Sequence, residues 1–107
     1  MSRYLDEHRA AADGFTIVHE PERHRYAVYQ RGAGEERLIG EAHYSLIGDD
    51  VIYFDHTVVV PALRGTGLSR LLAHRALTGD AIGDRRVRAS CWFIEGYIAR
   101  HPEVLER

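Results

Sequence analysis

Between Val51 and Leu77 the apolar pattern changes its period, and that change constrains the fold more than any other feature of the chain. Val51 to Val60 reads as a strand, apolar on both faces apart from Asp55-His56-Thr57. After Pro61, Leu68, Leu71, Leu72, Ala76 and Leu77 recur at helical spacing. The junction is Arg64-Gly65-Thr66-Gly67-Leu68-Ser69, a glycine-rich turn that opens directly into the helix. The helix is expected to run to about Ile82, with Gly83 as its stop and Gly79 a weak point inside it. A strand followed by a crossover helix needs a parallel partner strand, and Val87 to Cys91 supplies it. A strand apolar on both sides is expected at the centre of the sheet, covered on both faces.

Upstream, Phe15 to Val18 and Tyr26 to Tyr29 are short β-branched and aromatic runs separated by Pro21. Gly32-Ala33-Gly34 turns the chain into a third segment, Leu38 to Ile47. Its alternation puts Leu38, Gly40, Ala42, Tyr44 and Leu46 on one face and Ile39, Glu41, His43, Ser45 and Ile47 on the other. Gly48-Asp49-Asp50 is a tight connection to the next strand, so these segments form an antiparallel meander. Phe93 to Arg100 reads as a last helix halted by His101-Pro102, and residues 1–13 as a short helix or a frayed end. The order β-β-β-β-α-β-α is that of an α/β (α+β) chain with a mixed, mostly antiparallel sheet.

The 107 residues suffice for one core, so residues 1–107 are read as a single domain. Fourteen basic against 16 acidic residues leave a net charge of −2, which gives no electrostatic footprint for nucleic acid. One cysteine makes no internal disulfide, and Met1 to His8 lacks the apolar run of a signal peptide. No stretch approaches the roughly 20 apolar residues of a membrane span. A cytoplasmic protein is expected. His19-Glu20-Pro21-Glu22-Arg23-His24 is a near miss to a helical zinc motif: the histidines are one residue too far apart and Pro21 breaks the helix. No metal site is expected. His74 and Arg75 read as a solvated helix face.

The glycine-rich turn carries the chemistry. Its N–H groups, with the unpaired N–H groups of the first helical turn and the positive end of the helix dipole, make an anion site suited to a pyrophosphate. Arg64 adds a charge at the rim and Ser69 a hydroxyl. A Walker loop needs a lysine, and the chain has none. A dinucleotide fingerprint needs a third glycine where Arg70 stands.

What the turn does resemble is the acyl-CoA signature of the GNAT acetyltransferase superfamily, Arg/Gln-x-x-Gly-x-Gly/Ala, with Ser69 at the last position. The resemblance extends to Asp55-His56-Thr57, Val60-Pro61, Leu63-Arg64-Gly65 and the tail from Cys91-Trp92-Phe93 to Tyr97-Ile98-Ala99-Arg100-His101-Pro102-Glu103. That tail is similar to the very small single-domain GNAT-like subfamily, with Trp92 in place of proline. The resemblance as a whole covers about Phe15 to Glu103.

The resemblance implies an N-acetyltransferase using acetyl-CoA, with no metal. It also implies a V-shaped splay between the two parallel strands. Thr57, Val58 and Val59 would hold the pantetheine, and Arg64, Gly65, Thr66, Gly67, Leu68, Ser69 and Arg70 the pyrophosphate. Tyr97 would be the acid that protonates the leaving thiolate and His56 a base. Cys91 raises a second route, through an acetyl-cysteine. Each also has a plainer reading: Cys91 as a small core residue, His56 as a hydrogen-bonded strand residue, Tyr97 as core packing. Glu41 and His43 are the runner-up base, or simply a solvated sheet face. The acceptor would be a small amine or a protein amino group, and the chain a monomer or homodimer. The competing function is a CoA-binding module without turnover.

Overall fold

The computed structural model describes residues 3–105. Met1 and Ser2, where the N-terminal stretch begins, and residues 106–107 lie outside it. A short helix α1 (Glu7–Ala12) is capped by Asp6, whose carboxylate accepts from the Arg9 N–H at 2.8 Å. The strands β1 (Phe15–Glu20), β2 (Arg25–Gly32), β3 (Glu35–Ile47) and β4 (Val51–Val59) pair antiparallel in sequence order. After α2 (Leu68–Thr78), β5 (Arg86–Ala89) pairs parallel to β4, and α3 (Trp92–Arg100) follows. The mixed, mostly antiparallel sheet is therefore the one expected. Among the described residues no helix is long and apolar enough to cross a membrane.

One apolar cluster holds the molecule together. Tyr26, Val28, Ala42, Tyr44, Ile52 and Phe54 on one sheet face meet Leu68, Leu72, Ala76 and Leu77 of α2. The opposite face is open. The order β1-β2-β3-β4-β5 makes β3 the central strand and β4 an interior strand beside the β5 edge, and with Val58 50% exposed and the His56 side chain 48%, β4 is covered on one face only. Its outward side chains include Asp55 and His56, which bond to Glu41, His43 and Ser45 rather than seeking an apolar layer.

Two β-bulges set which residues face which way. In the β2–β3 ladder Val28 pairs Gly40 and Tyr29 pairs Leu38, so Ile39 is the extra residue. Ile39 is buried while Leu38 is exposed, which breaks the simple alternation read from the sequence. In the β3–β4 ladder His43 pairs His56 and Tyr44 pairs Phe54, leaving Asp55 as the extra residue. Asp55 and His56 consequently share the open face.

The second helix stops at Thr78, four residues short of Ile82, and Gly79 is its stop rather than a weak point. The cause is Tyr26. Its hydroxyl lies against Gly79 where any Cβ would stand, and it accepts the Ala81 N–H at 3.0 Å. That bond takes up a donor the helix would otherwise have used, and the chain peels away. The parallel strand is also shorter than expected. It ends at Ala89, and Cys91 is the residue preceding the first turn of α3.

Candidate active site

The β4–β5 ladder runs from Val51/Arg86 to Phe54/Ala89 and ends. Beyond it the Ser90 and Cys91 N–H groups both turn to the Phe54 carbonyl, at 3.0 and 3.4 Å, and the two strands part. No β5 residue pairs with the stretch from Asp55 to Val59. The Val60 N–H donates to the Ile39 carbonyl at 2.9 Å, so Val60 faces β3. Strand alternation then turns the backbone groups of Thr57 and Val59 the other way, into the gap.

A cleft of about 420 Å³ fills this gap, lined by Thr57, Val58, Val59, Arg64, Ser69, Cys91, Trp92 and Phe93. Six of these were expected as site residues from the sequence; Trp92 and Phe93 were not. Their sequence signal was their place in the Cys91-Trp92-Phe93 segment of the family-like tail. Trp92 is 80% exposed at the lip. Within the cleft the Thr57 Oγ1 is buried and has no hydrogen-bond partner among the described residues. An unpaired buried hydroxyl is costly.

At one end of the cleft the glycine turn enters α2. Gly65 and Gly67 adopt φ of 80° and 99°, the left-handed region that side chains disfavour. Gly67 precedes the first turn of α2, and no side chain caps the free N–H groups there. The side chains of the turn divide. Arg64 is exposed on the cleft wall and has no ion pair among the described residues. Thr66 is buried and bonds the Leu63 carbonyl at 2.7 Å, and Leu68 is in the core. Arg70 bonds the Tyr4 and Leu5 carbonyls at 2.9 and 3.1 Å, tying down the N-terminal segment. Of the turn residues expected at the pyrophosphate, only Arg64 and Ser69 line the cleft; Gly65, Thr66, Gly67, Leu68 and Arg70 do not.

The expected catalytic residues are not gathered at one point. Cys91 lines the cleft and is buried. Tyr97 lies one turn beyond Phe93 on the same face of α3, behind the cleft wall. Its hydroxyl is 3.0 Å from the His74 Nδ1, so His74, exposed as expected, is more than a solvated position. Burial raises the Tyr97 pKa above its ordinary value, with Arg70 pulling it down and Glu103 pushing it up by less. His56 stands on the open face with its Nε2 3.3 Å from Glu41 Oε2 and its Nδ1 3.3 Å from Asp55 Oδ1. It stacks on His43 with ring centroids 5.1 Å apart. Burial alone would raise the Asp55 carboxyl, but bonds from His43 and Ser45 more than offset it, and its pKa lies below the usual value.

A splayed parallel pair thus leads into a glycine turn at the start of α2, and comparison with known proteins places the chain in a family. The sequence profile of the GCN5-related N-acetyltransferases matches residues 25–107. The chain belongs to that family. Among its relatives is the protein called NATD1 from Mus musculus, 28% identical over 93 residues, which span 85% of this chain and 82% of the relative. The Homo sapiens protein of that name is also 28% identical and covered to 80%, and the Danio rerio protein 25% identical and covered to 82%. The profile spans every cleft-lining residue.

Proposed function

We propose that the protein transfers an acetyl group from acetyl-CoA to an amine. The observation that carries this reading is the strand edge from Asp55 to Val59, unpaired where β5 diverges and continuous with the turn that opens α2. A pantetheine lying in the gap would meet the backbone groups of Thr57 and Val59 and the unpaired Thr57 hydroxyl. The pyrophosphate would lie on the N–H groups of Gly65 to Arg70, beside Arg64.

In this reading a neutral amine attacks the thioester carbonyl and forms the C–N bond as the C–S bond breaks. Backbone N–H groups at the gap polarise the carbonyl oxygen. His56 takes the proton the amine loses, and its imidazole is held by Glu41 and Asp55. Tyr97 gives its proton to the departing sulfur and is resupplied across the bond to His74. The route through Cys91 differs: its thiolate takes the acetyl group first, releases CoA, and passes the acetyl group to the amine. The open face of the sheet leaves room for a bulky acceptor, such as a protein amino group.

One observation favours the alternative of a CoA-binding module without turnover. Neither Tyr97 nor His56 lines the cleft. Calorimetric titration with acetyl-CoA, followed by CoA release on a panel of amines and peptides, separates the readings. Saturable binding with acceptor-dependent release supports transfer, binding without release supports the module, and no binding below about a millimolar removes both.

A further inference from the structure

We propose that His43, Asp55 and His56 form a binding site for a divalent transition-metal ion, of the zinc class, on the open face of the sheet. The three side chains offer donor atoms that all lie within 4.8 Å of one another. Asp55 Oδ1 is central, 2.7 Å from His43 Nδ1 and 3.3 Å from His56 Nδ1. Tetrahedral zinc with bonds near 2.1 Å needs donors about 3.4 Å apart, and the two imidazoles, stacked parallel with centroids 5.1 Å apart, close the set around an ion by rotating out of their stack. Two imidazoles and one carboxylate are a borderline donor set that suits zinc, copper or nickel over magnesium or calcium. The fourth position is open to water.

The backbone accounts for the convergence. His43 and His56 are direct cross-strand partners, and the bulge at Asp55 adds a third donor on the same face. The neighbours suit a metal as well. Glu41 Oε2 is 3.3 Å from His56 Nε2, so it can accept that N–H and leave Nδ1 free to ligate. Glu41 is itself held by Arg25 at 3.3 Å, and the Ser45 hydroxyl fixes the other Asp55 oxygen at 3.1 Å. The linear sequence concealed this site, because positions 43 and 55–56 meet only through strand register. An imidazole that holds a metal cannot also accept a proton. A bound ion would occupy the seat of the proposed base, making metal and acetyl transfer antagonists.

The test uses the full chain stripped with chelator, with no acyl-CoA present. Cobalt(II) is titrated in and followed by its visible absorption, and zinc(II) is titrated by calorimetry. The expected result is one equivalent of cobalt with the intense bands of a low-coordinate site, displaced by zinc. His43→Ala should abolish it, and Glu41→Gln should weaken it about 10- to 100-fold. The graded Glu41→Gln effect keeps the test decisive if His43→Ala fails to fold. Absence of saturable uptake below about a millimolar, or uptake indifferent to both changes, overturns the proposal. Acetyl-CoA titration of the metal-free protein is read separately, so failure of the acyl-CoA reading leaves the metal result standing.

Discussion

Thr57→Val should make the protein more stable and a poorer acetyl-CoA binder. Valine keeps the shape and strand preference of threonine and replaces the hydroxyl by a methyl group, where the threonine oxygen is buried in the cleft without a partner among the described residues. An unsatisfied buried hydroxyl costs about 1–3 kcal/mol by protein mutational measures. Removing it should return most of that to the free protein, and each kcal/mol is worth roughly 4 °C in a domain of this size. The ligand side has the opposite sign. A hydrogen bond formed only in the complex contributes about 0.5–1.5 kcal/mol, so the variant should bind about 2- to 12-fold more weakly. Thermal unfolding with and without acetyl-CoA, paired with calorimetry, reads both quantities on one preparation. A variant that gains no stability, or that binds acetyl-CoA as tightly as the parent, refutes the reasoning that this hydroxyl is held open for a ligand.

Gly67→Asp places a side chain at a φ of 99° and a negative charge at the start of α2, so saturable acetyl-CoA binding should disappear while circular dichroism shows the helices retained. Tyr97→Phe should leave the acetyl-CoA Kd unchanged and lower turnover; unchanged turnover removes Tyr97 from the acid role. Cys91→Ala should abolish transfer if the acetyl-cysteine route operates and spare it if attack is direct, which mass spectrometry of the acetyl-CoA-treated parent checks independently. The bond from the Tyr29 hydroxyl, with help from Arg25, lowers the Glu20 pKa despite its burial. A depressed folded pKa means the native state binds fewer protons, so this contribution is complete above the ordinary glutamate value of about 4.3 and fades as pH falls below it. Glu20→Gln should therefore flatten the loss of stability between neutral pH and acid, measured by urea unfolding at a series of pH values.

The turn and its flanking elements were legible because each residue type there answers a local need. Gly65 and Gly67 take conformations that other residues disfavour, and Leu68, Leu71 and Leu72 mark the buried helix face. What the sequence left out depends on contacts between distant segments. The end of α2 is set by Tyr26, some fifty residues upstream, whose hydroxyl excludes a side chain at position 79. The placing of Asp55 and His56 on one face of β4 follows from a bulge, and a bulge shifts parity without any compositional mark. The pairing of Tyr97 with His74 joins two helices and has no signature along either. Trp92 was visible as a residue, but its place on the cleft lip depends on where β5 ends.

The early end of β5 also has a consequence for the protein's behaviour in solution. A strand edge with free N–H and C=O groups, flanked by the half-exposed Val58, is a template that another extended chain can extend by hydrogen bonding. Whatever fills the gap between the strands therefore acts as a plug against edge-to-edge association, and the ligand-free protein should be the form that self-associates on concentration.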